Sequence, residues 1–342
     1  MDLEMLETRA NIIKQIRSFF DTRGYLELDT PLLSDNLIPE SCLEVFQTER
    51  LFPPGSKKEG KPLWLIPSPE IHMKKIIAQH RVNVYQICKC FRNGESEGHL
   101  HSSEFTMLEY YTMSADYLDS LKITEKLIST LYSQFSTLNS QFSILNSQFL
   151  RITVAEAFMR YAGLDLFEAA FQKGVMEKEA RRLGLEPLPG MTVPELYDLI
   201  FIHAVEPNLK TDTPVFLLDY PAFVPCLAKN NEQITKNNEQ RTENIEQRTG
   251  KKSGTVERWE LYWNGIELAN CFSEENDPQR VREFFVNEEA AKERNAIVRH
   301  HVDHDYWKLF EGFPKCSGVA IGVDRLIMAL TGKGRIDGVI HS

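Results

Sequence analysis

Three glutamates with regular spacing are the first residues in this sequence that could do chemistry. Glu260, Glu267 and Glu274 stand seven residues apart around a single Asn264-Gly265 pair. An Asn-Gly pair between β-branched and aromatic residues predicts a two-residue hairpin turn, because this turn needs positive φ at both positions. The sequence therefore predicts that two strands, and the carboxylates on them, meet across residues 264 and 265.

The predicted pairing decides which side chains share a face of the hairpin. With Tyr262 opposite Glu267, alternation puts Glu260, Tyr262, Glu267 and Ala269 on one side. Two carboxylates this close repel each other, and two hard oxygen donors suit Mg²⁺ carried by a nucleotide phosphate. The alternative interpretation is a solvated strand face with scattered acids.

Glu274 is a separate case. Under strict alternation its side chain points to the opposite face from Glu267. We expect it to join the same face only if a bulge or bend falls within residues 268–271, since one extra residue reverses the alternation.

The segment CFRNGESEGHLHSSEFTMLEYY forms a second candidate group. A strand over EFTMLEYY would put four side chains on one face: Phe105, Met107, Glu109 and Tyr111. An aromatic ring, a carboxylate and a phenol then lie in line. Arg92, just before the intervening loop, could hold a phosphate bidentately, and Phe105 could stack on a nucleobase. Each of these residues, taken alone, is also ordinary in a strand.

Two further segments could bind charged groups. Near the C-terminus, CSGVAIGVDRLIMAL couples a small-residue strand to an apolar helix with Arg325 in its first turn. A glycine-rich approach to a helix N-terminus favours phosphate, although a packing strand explains the same pattern. In SPEIHMKK, Glu70 follows Ser68-Pro69 at a predicted helix start, where it could cap the helix or bind an amine.

Composition limits the function classes. A chain of 342 residues could form one large domain or two. Its net charge of −10 argues against a protein that mainly grips nucleic-acid backbone. The sequence has neither a membrane-spanning apolar run nor a signal-peptide pattern, so we expect a cytoplasmic protein with no membrane partner. The six cysteines predict reduced core or edge residues, and Cys88-Lys89-Cys90 is too closely spaced for a usual zinc knuckle.

The order of predicted elements indicates an α+β fold. An apolar stripe predicts a first helix that stops before Gly24. The predicted strands are residues 25–29, 63–67, 82–91 and 104–111, with a helix at about residues 70–80. Helices beside hairpin-connected strands favour a mostly antiparallel sheet flanked by helices.

Two repetitive stretches look added to that domain. Residues 133–149 repeat every seven residues with a heptad-like apolar seam. The seam could extend a helix for partner contact, but its weak helix formers favour a repeat packed on the domain surface. Residues 229–254 repeat NNEQ and EQRT with little to bury, which predicts a disordered loop.

Taken together, these segments resemble the class II aminoacyl-tRNA synthetases. GYLELDTP is similar to motif 1, FRN with EFTMLEYY to motif 2, and GVAIGVDRL to motif 3. SPEIHMK, EFTMLEYY, GIELAN and CSGVAIGVDRL are most similar to the lysine branch and to its stand-alone elongation factor P lysine ligases. The resemblance covers nearly the whole chain apart from the two repeats. It implies a single α+β catalytic domain over residues 1–342 and a homodimer.

The resemblance implies an ATP site that uses Mg²⁺. Arg92 would hold the α-phosphate, Phe105 would stack on adenine, and Arg325 would bind the far phosphates, which makes the two arginines the implied catalytic residues. Glu260 and Glu267 would hold the metal. The other implied ATP-binding residues are Asn93, Glu95, Ser102, Leu268 and Gly322.

The same resemblance implies lysine or (R)-β-lysine as the amino-acid substrate. Glu274, Glu109 and Tyr111 would recognise the side-chain ammonium, since charge-assisted hydrogen bonds are strong in a partly dry pocket. Glu70 and Asn270 would hold the α-amino and carboxylate end. The implied substrate-binding set also contains Ser68, Pro69 and Ala320.

The resemblance also implies an acceptor. Ala320 stands where lysyl-tRNA synthetases have glycine, and such a steric difference is worth about 1–3 kcal/mol; it matches ligases that prefer (R)-β-lysine. We expect no anticodon-binding domain, because the catalytic motifs begin almost at residue 1, and we do not expect tRNA as a partner. The implied reaction forms an aminoacyl adenylate and passes the acyl group to a lysine ε-amine of elongation factor P, by positioning and charge neutralisation.

Three departures from the family pattern leave alternatives open. Gly94 intervenes between Asn93 and Glu95, Ser102 replaces an asparagine that contacts ATP, and Cys271 replaces a glycine. The role of Glu95 therefore stays open. The alternatives are a truncated enzyme that charges tRNA, an adenylate-forming paralog with another acceptor, and a non-catalytic binding relative, which the retained phosphate and metal residues disfavour.

Overall fold

A computed structural model describes residues 2–94, 98–136, 149–172, 174–231 and 254–340 of the protein. Its strands are β1 Leu26–Glu27, β2 Leu33–Ser34, β3 Gln47–Arg50, β4 Lys61–Leu65, β5 Val84–Phe91, β6 Glu104–Met113, β7 Leu150–Thr153, β8 Val215–Pro221, β9 Thr255–Trp263, β10 Ile266–Ser273 and β11 Cys316–Gly322. Its α-helices are α1 Leu3–Asp21, α2 Glu70–His80, α3 Tyr117–Ser136, α4 Val154–Ala157, α5 Leu166–Phe171, α6 Val175–Arg182, α7 Val193–Ile200, α8 Pro278–Asn295 and α9 Val323–Thr331.

The chain divides into two compact units, the first made of Met1–Ala115 with Asn276–Ser342 and the second of Asp116–Glu275. In the first unit, β1, β5, β6 and β11 are neighbours in that order. Strand β1 runs parallel to β5, whereas the other two pairings are antiparallel. A separate antiparallel sheet has the order β2-β4-β3.

Helix α1 packs against the sheet of the first unit through its apolar stripe. Ile12, Ile16 and Phe20 are fully buried. The ring of Phe20 lies 5.0 Å from that of Tyr85 on β5 and 4.8 Å from that of Tyr110 on β6. This aromatic packing holds one face of β5 and β6 against the helix, and so leaves their alternate residues on the other face.

The second unit has its own four strands, in the order β10-β9-β8-β7. Strands β10, β9 and β8 are antiparallel, and β7 runs parallel to β8. Helix α3 packs on β9 and β10, while the short helices α4 to α7 surround a core in which the rings of Phe158 and Tyr197 stack at 5.1 Å. This packing holds the β9-β10 hairpin in place within the second unit.

The structure confirms the predicted α+β class with mostly antiparallel strands flanked by helices. The predicted helix at residues 70–80 is present as α2. The strands predicted at residues 63–67, 82–91 and 104–111 correspond to β4, β5 and β6, whereas the strand predicted at residues 25–29 is reduced to the two residues of β1. Most of each repetitive stretch, residues 137–148 and 232–253, lies outside the described residues. The single catalytic domain stays a prediction. Among the described helices, none is long and apolar enough to cross a membrane.

Candidate active site

The central strands of the first unit bring several predicted site residues to one face. Cross-strand partners place Glu109 opposite Ala320 on β11, and Phe105 opposite Cys90 on β5. Directly opposed residues of antiparallel strands share a face, and alternate residues of one strand do as well. Phe105, Glu109, Tyr111 and Ala320 therefore point to the same side, in agreement with the alternation expected from EFTMLEYY.

Glu109 and Tyr111 form a buried pair on this face. The Tyr111 hydroxyl donates to Oε1 of Glu109 at 2.6 Å, and the glutamate is only 3% exposed. Burial raises the pKa of Glu109 well above its usual range, and the charge of Glu70 raises it further, against the hydrogen bond from Tyr111. A buried carboxyl group of this kind gains most from an incoming ammonium, because the cation stabilises its charged form.

Glu70 lies at the start of α2, as predicted, but its nearest partner is a cation of its own helix. The Nζ of Lys74 lies 2.5 Å from Oε1 of Glu70, and the Lys74 side chain is wholly buried. Pro69 is the N-cap and makes no side-chain capping bond; Ser68 precedes it. Lys74 was not among the predicted site residues, although its spacing of four from Glu70 is a recognisable ion-pair signal.

Arg92 presents its guanidinium beside the aromatic ring on β6. Its guanidinium carbon lies 5.3 Å from the centre of the Phe105 ring, and its backbone N–H donates to Ser103 at 3.0 Å. The Nε of Arg92 is buried and finds no hydrogen-bond acceptor among the described residues. A buried guanidinium donor of this kind suits a phosphate oxygen, which would accept the hydrogen bond that no described residue accepts.

The extra glycine after Asn93 has a local structural role. Gly94 adopts a left-handed φ of 67°, and its N–H donates to Oδ1 of Asn93 at 2.9 Å. The backbone of Asn93 is tied in turn to Glu44, at 2.9 Å. Glu95 lies outside the described residues. Ser102 is half-buried in the loop that leads into β6.

Arg325 is the third residue of α9, directly after the small-residue strand β11. Its Nε donates to the Leu100 carbonyl at 3.2 Å. Gly322 ends β11 and is the N-cap of α9, and a Cβ there would meet the Arg325 side chain at 3.7 Å. The positive end of a nine-residue helix favours an anion at this place.

A buried ion pair fixes the position of α9 against β6. Asp324 is 1% exposed and accepts from the Arg9 guanidinium at 2.5 Å and from the backbone N–H of Thr106 at 2.6 Å. Arg9 also donates to the Thr106 hydroxyl at 2.8 Å. Sequence reasoning missed this network, because Arg9 and Asp324 are far apart in the chain and neither lies in a recognisable spacing with the other.

The β9-β10 hairpin has the predicted turn. Asn264 and Gly265 both have positive φ, 53° and 77°, and Glu267 pairs with Tyr262. The register then shifts between Glu267 and Ala269, so that Asn270 pairs with Glu260. Leu268 is the extra residue of this bulge, and it is buried.

The bulge decides the faces of β10. Ala269 pairs with Leu261 and therefore lies on the opposite face from Glu260, so the expectation that both share a face was wrong; the extra residue reverses the alternation. The same reversal turns Asn270 and Glu274 to the face of Glu260 and Glu267. This is the condition under which the sequence allowed Glu274 to join the other two glutamates.

Glu274 and Cys271 have different surroundings. Glu274 is 3% exposed, and a β-bridge to Ala228 holds its backbone just after β10. Cys271 is fully buried and pairs with Trp259, which places its side chain on the other face from Glu274. A side chain larger than glycine at residue 271 therefore does not enter the face that carries the glutamates.

Glu260 is held by a network that the sequence did not reveal. Arg258 donates to Oε1 of Glu260 at 2.6 Å and to Oδ1 of Asn270 at 3.1 Å, and the Tyr262 hydroxyl donates to Oε2 at 2.8 Å. The Arg258 guanidinium also lies 4.4 Å from the centre of the Tyr220 ring. Burial lowers the pKa of Arg258, but the charge of Glu260, together with smaller effects of Cys226, Tyr220 and Tyr197, raises it by more, so the arginine stays charged. Its position two residues before Glu260 on one strand was the available signal.

The donor set of this face fits Mg²⁺ brought by a nucleotide. Each carboxylate oxygen has two lone pairs, so Glu260 can accept bonds from Arg258 and Tyr262 and still offer an oxygen to a metal. Mg²⁺ is commonly held by one or two carboxylates together with substrate phosphates, which is what Glu260 and Glu267 could supply. Within the described ranges, no three His, Cys, Asp or Glu residues cluster as a metal site.

Each unit therefore carries its own group of predicted site residues. The first unit has Ser68, Pro69, Glu70, Arg92, Asn93, Ser102, Phe105, Glu109, Tyr111, Ala320, Gly322 and Arg325. The second has Glu260, Glu267, Leu268, Asn270 and Glu274. Lys74, Arg258 and the pair Arg9 and Asp324 support these groups and were found only in the structure.

Comparison with known proteins gives a consistent result. Residues 2–341 match the family described as tRNA synthetases class II (D, K and N). The chain is 32% identical over 340 residues to the elongation factor P (R)-β-lysine ligase of Vibrio atlanticus (strain LGP32), which covers 98% of this chain and 94% of that protein. It is 35% identical over 339 residues to the ligase of the same name from Avibacterium paragallinarum, covering 99% and 94%.

A third relative gives the same picture. The chain is 32% identical over 336 residues to the elongation factor P (R)-β-lysine ligase homolog of Aquifex aeolicus (strain VF5), covering 97% of both chains. The similarity thus extends over almost the full length of each relative.

Proposed function

Because the chain belongs to the class II tRNA synthetases (D, K and N), we propose that it is an ATP-dependent ligase for lysine or (R)-β-lysine. The acceptor is a lysine ε-amine of elongation factor P, the protein after which similar ligases from several bacteria are named. The observation that carries the substrate class is the buried Glu109-Tyr111 pair, which offers an acidic, solvent-poor partner to an ammonium group.

We propose that the first unit binds most of the nucleotide. Arg92 holds the α-phosphate with its Nε, which finds no acceptor among the described residues, and Phe105 stacks on the adenine ring. Arg325, at the N-terminus of α9, binds the far phosphates. Asn93, Glu95, Ser102, Leu268 and Gly322 complete the proposed ATP-binding set.

The amino-acid substrate is bound by its two charged ends in this proposal. Glu109, Tyr111 and Glu274 receive the side-chain ammonium. Glu70 and Asn270 hold the amino and carboxylate end, with Ser68, Pro69 and Ala320 beside them. The methyl group of Ala320 lies opposite Glu109 in the sheet, where it can favour the longer backbone of (R)-β-lysine by steric exclusion.

Glu260 and Glu267 would hold Mg²⁺. When bound, the metal would neutralise the charge that develops on the phosphates. Arg258 and Tyr262 orient Glu260 for this role through the hydrogen bonds on its two oxygens. Holding the carboxylate in place before the substrate arrives reduces the reorganisation that binding requires.

The reaction has two steps. The substrate carboxylate attacks the α-phosphorus of ATP, which breaks the bond to the β-phosphate oxygen and releases pyrophosphate. The ε-amine of the acceptor then attacks the acyl carbon of the adenylate, loses a proton and releases AMP, leaving an amide. Neither step needs an enzyme nucleophile, because positioning and charge neutralisation of an in-line transfer are sufficient.

The proposal also covers the cellular location, the oligomeric state and the acceptor of the enzyme. We propose that it works in the cytoplasm, where its acceptor acts in translation, and that it is a homodimer. The net charge of −10 disfavours tRNA as the main acceptor.

Transfer of label tests this function. Purified protein is incubated with ATP, Mg²⁺ and labelled lysine or (R)-β-lysine, with elongation factor P or bulk tRNA offered separately. We expect label on elongation factor P. Label on tRNA alone would identify a truncated synthetase, and adenylate without transfer to either would identify a paralog with another acceptor.

A pair of variants tests the metal assignment. Glu267→Gln should abolish ATP–pyrophosphate exchange, whereas the control Glu257→Gln, which lies on β9 but on the face opposite Glu260, should keep it. Exchange at the normal rate in Glu267→Gln would refute the assignment.

A further inference from the structure

Two thiols lie on the proposed substrate face and have no part in the proposed reaction. Cys88 and Cys90 occupy alternate positions of β5, so their side chains share a face, and their Sγ atoms are 3.9 Å apart. Cys88 pairs across the strands with Met107 and Cys90 with Phe105. Both thiols therefore face the same side as Phe105 and Glu109.

The two thiols are unequal. Cys88 is half-buried and Cys90 is wholly buried. The hydrogen bond from Cys90 lowers the pKa of Cys88 despite the effect of burial, and the same bond together with burial raises the pKa of Cys90 well above its usual value. An accessible thiolate next to a buried thiol is the arrangement of an attacking and a resolving cysteine.

We propose that Cys88 and Cys90 form a reversible intramolecular disulfide when a low-molecular-weight disulfide oxidises the protein, and that this bond switches off activation of the amino acid. The Cys88 thiolate attacks one sulfur of the oxidant and releases one thiolate. Cys90 then gives up its proton and attacks Sγ of Cys88, which releases the second thiolate. The protein loses two electrons and two protons, and the oxidant is reduced to two thiols.

The geometry explains why the bond would affect activity. A disulfide is about 2.05 Å long, so the two sulfurs must approach each other by nearly half of their present separation. Alternate residues of a strand lie about 6.6 Å apart, near the upper limit of the Cα separation that a disulfide accepts, so β5 must tighten locally. Cys90 lies opposite Phe105 and two residues before Arg92, so this change displaces both groups proposed to hold ATP.

The sequence provides a direct assay for the bond. Trypsin cleaves after Arg81, Lys89 and Arg92, so it separates Cys88 and Cys90 into peptides 82–89 and 90–92. The full-length protein is treated with oxidised glutathione, remaining thiols are alkylated, and the protein is digested without reduction. We expect the two peptides to appear linked, at the sum of their masses minus two hydrogens. ATP–pyrophosphate exchange should fall about tenfold or more and recover with dithiothreitol.

Two variants give the controls. Cys88→Ser should form no linked peptides and should retain its own exchange rate in oxidised glutathione. Cys42→Ser, which removes an exposed cysteine elsewhere, should respond like the unmodified protein.

Two results would overturn the inference: glutathione on Cys88 without linked peptides, or linked peptides with unchanged exchange. The effect on exchange rests on the proposed function, whereas the disulfide does not. Absence of exchange in the reduced protein would count against the proposed function, while linked peptides would still support the disulfide.

Discussion

At the residue scale, Glu109 shows how burial raises the pKa of a carboxyl group that we propose to bind the substrate ammonium. Its position on β6 leaves it 3% exposed, next to the hydroxyl of Tyr111 and close to the negative charge of Glu70. Burial and a second negative charge both disfavour its ionised form. In the proposed site, an incoming ammonium would remove part of this penalty, which would link substrate affinity to pH.

Glu109→Gln should raise the KM for lysine and flatten its dependence on pH. Glu109 must be ionised to bind the ammonium, and its pKa is raised, so affinity should increase as pH rises above the usual carboxyl range. It should decrease again as the amino groups of the substrate deprotonate, the side-chain ammonium at about pH 10.4. The measurement is the KM for lysine in ATP–pyrophosphate exchange across neutral and mildly alkaline pH.

Tyr111→Phe serves as the matched variant for this test. It removes the hydrogen bond that favours the ionised carboxylate, so the pH profile should move to higher pH but keep its slope. If Glu109→Gln leaves the KM and its pH profile unchanged, Glu109 does not bind the ammonium.

Arg258 is the second residue whose role follows from its surroundings. Its side chain and that of Glu260 are only 15% and 10% exposed, and they form a salt bridge at 2.6 Å. Arg258→Met keeps most of the apolar stem but leaves a buried carboxylate without its cation, which should lower the free energy of unfolding by about 3 kcal/mol. Urea unfolding measures this change.

The control for Arg258→Met lies in the same unit. Arg181 pairs with Glu177 on α6, where the side chains are 57% and 46% exposed, so Arg181→Met should cost less than about 0.5 kcal/mol. If the two substitutions lower the free energy of unfolding equally, the buried Arg258-Glu260 pair contributes no more to stability than an exposed pair.

At the element scale, one bulge brings Glu267 and Glu274 to the same face of the β9-β10 hairpin. Glu267 and Glu274 lie seven positions apart, an odd interval that places them on opposite faces of a regular strand. The extra residue Leu268 reverses this alternation. The hairpin turn upstream fixes the register of β9 and β10 before the bulge. The turn and the bulge together therefore determine which carboxylates lie on the same face.

The turn itself gives a prediction. Gly265 has a φ of 77°, and a Cβ there would lie 3.3 Å from the Lys210 side chain. Gly190 has a φ of 85° with nothing within 4 Å. Both Gly→Ala variants should lose about 1–2 kcal/mol because of the left-handed backbone, and Gly265→Ala should lose more, since it also crowds Lys210. Urea unfolding of both variants measures the difference.

Truncation of the neighbour separates the two contributions. In a Lys210→Gly background, which removes both the Cβ and the Cγ that lie 3.3 Å from the new methyl group, Gly265→Ala should cost about as much as Gly190→Ala, because only the backbone strain is left. If the excess persists without the Lys210 side chain, crowding is not its cause.

At the scale of the whole molecule, stability should respond to pH through a buried carboxyl group near Arg92. Burial, together with the charges of Glu70 and Glu288, raises the pKa of Glu40 to about 7 against the opposing charges of Arg92 and Lys292. A carboxyl group with a raised pKa in the folded state stabilises the fold below its unfolded pKa of about 4.5. That contribution is lost as pH rises through about 7.

Glu40→Gln should therefore change the pH profile of thermal unfolding. The glutamine cannot ionise, so the Tm of the variant relative to the unmodified protein should be higher at pH 8 than at pH 5. Melting curves at the two pH values check the sign. A relative Tm that falls between pH 5 and pH 8 would contradict the raised pKa.

Several parts of the fold could be predicted because they depend on local signals. The Asn264-Gly265 turn follows from the positive φ that only a few residues accept, and α2 follows from its apolar periodicity. The face that carries Phe105, Glu109 and Tyr111 follows from simple alternation along β6. The roles of these residues came from resemblance to a family, and they stay proposals that the variants above can test.

The sequence by itself determined the α+β class, the turn, the strand that carries Glu109 and the family to which the chain belongs, because these depend on near neighbours in the chain or on motif order. Only the tertiary structure decided where the bulge falls, that Arg258 holds Glu260, that Arg9 and Asp324 join α1 to α9, and that two thiols share the face of Phe105. These features depend on register and on contacts between distant segments. Burial then determines how strongly the charged groups interact, and no local pattern in the chain predicts that burial.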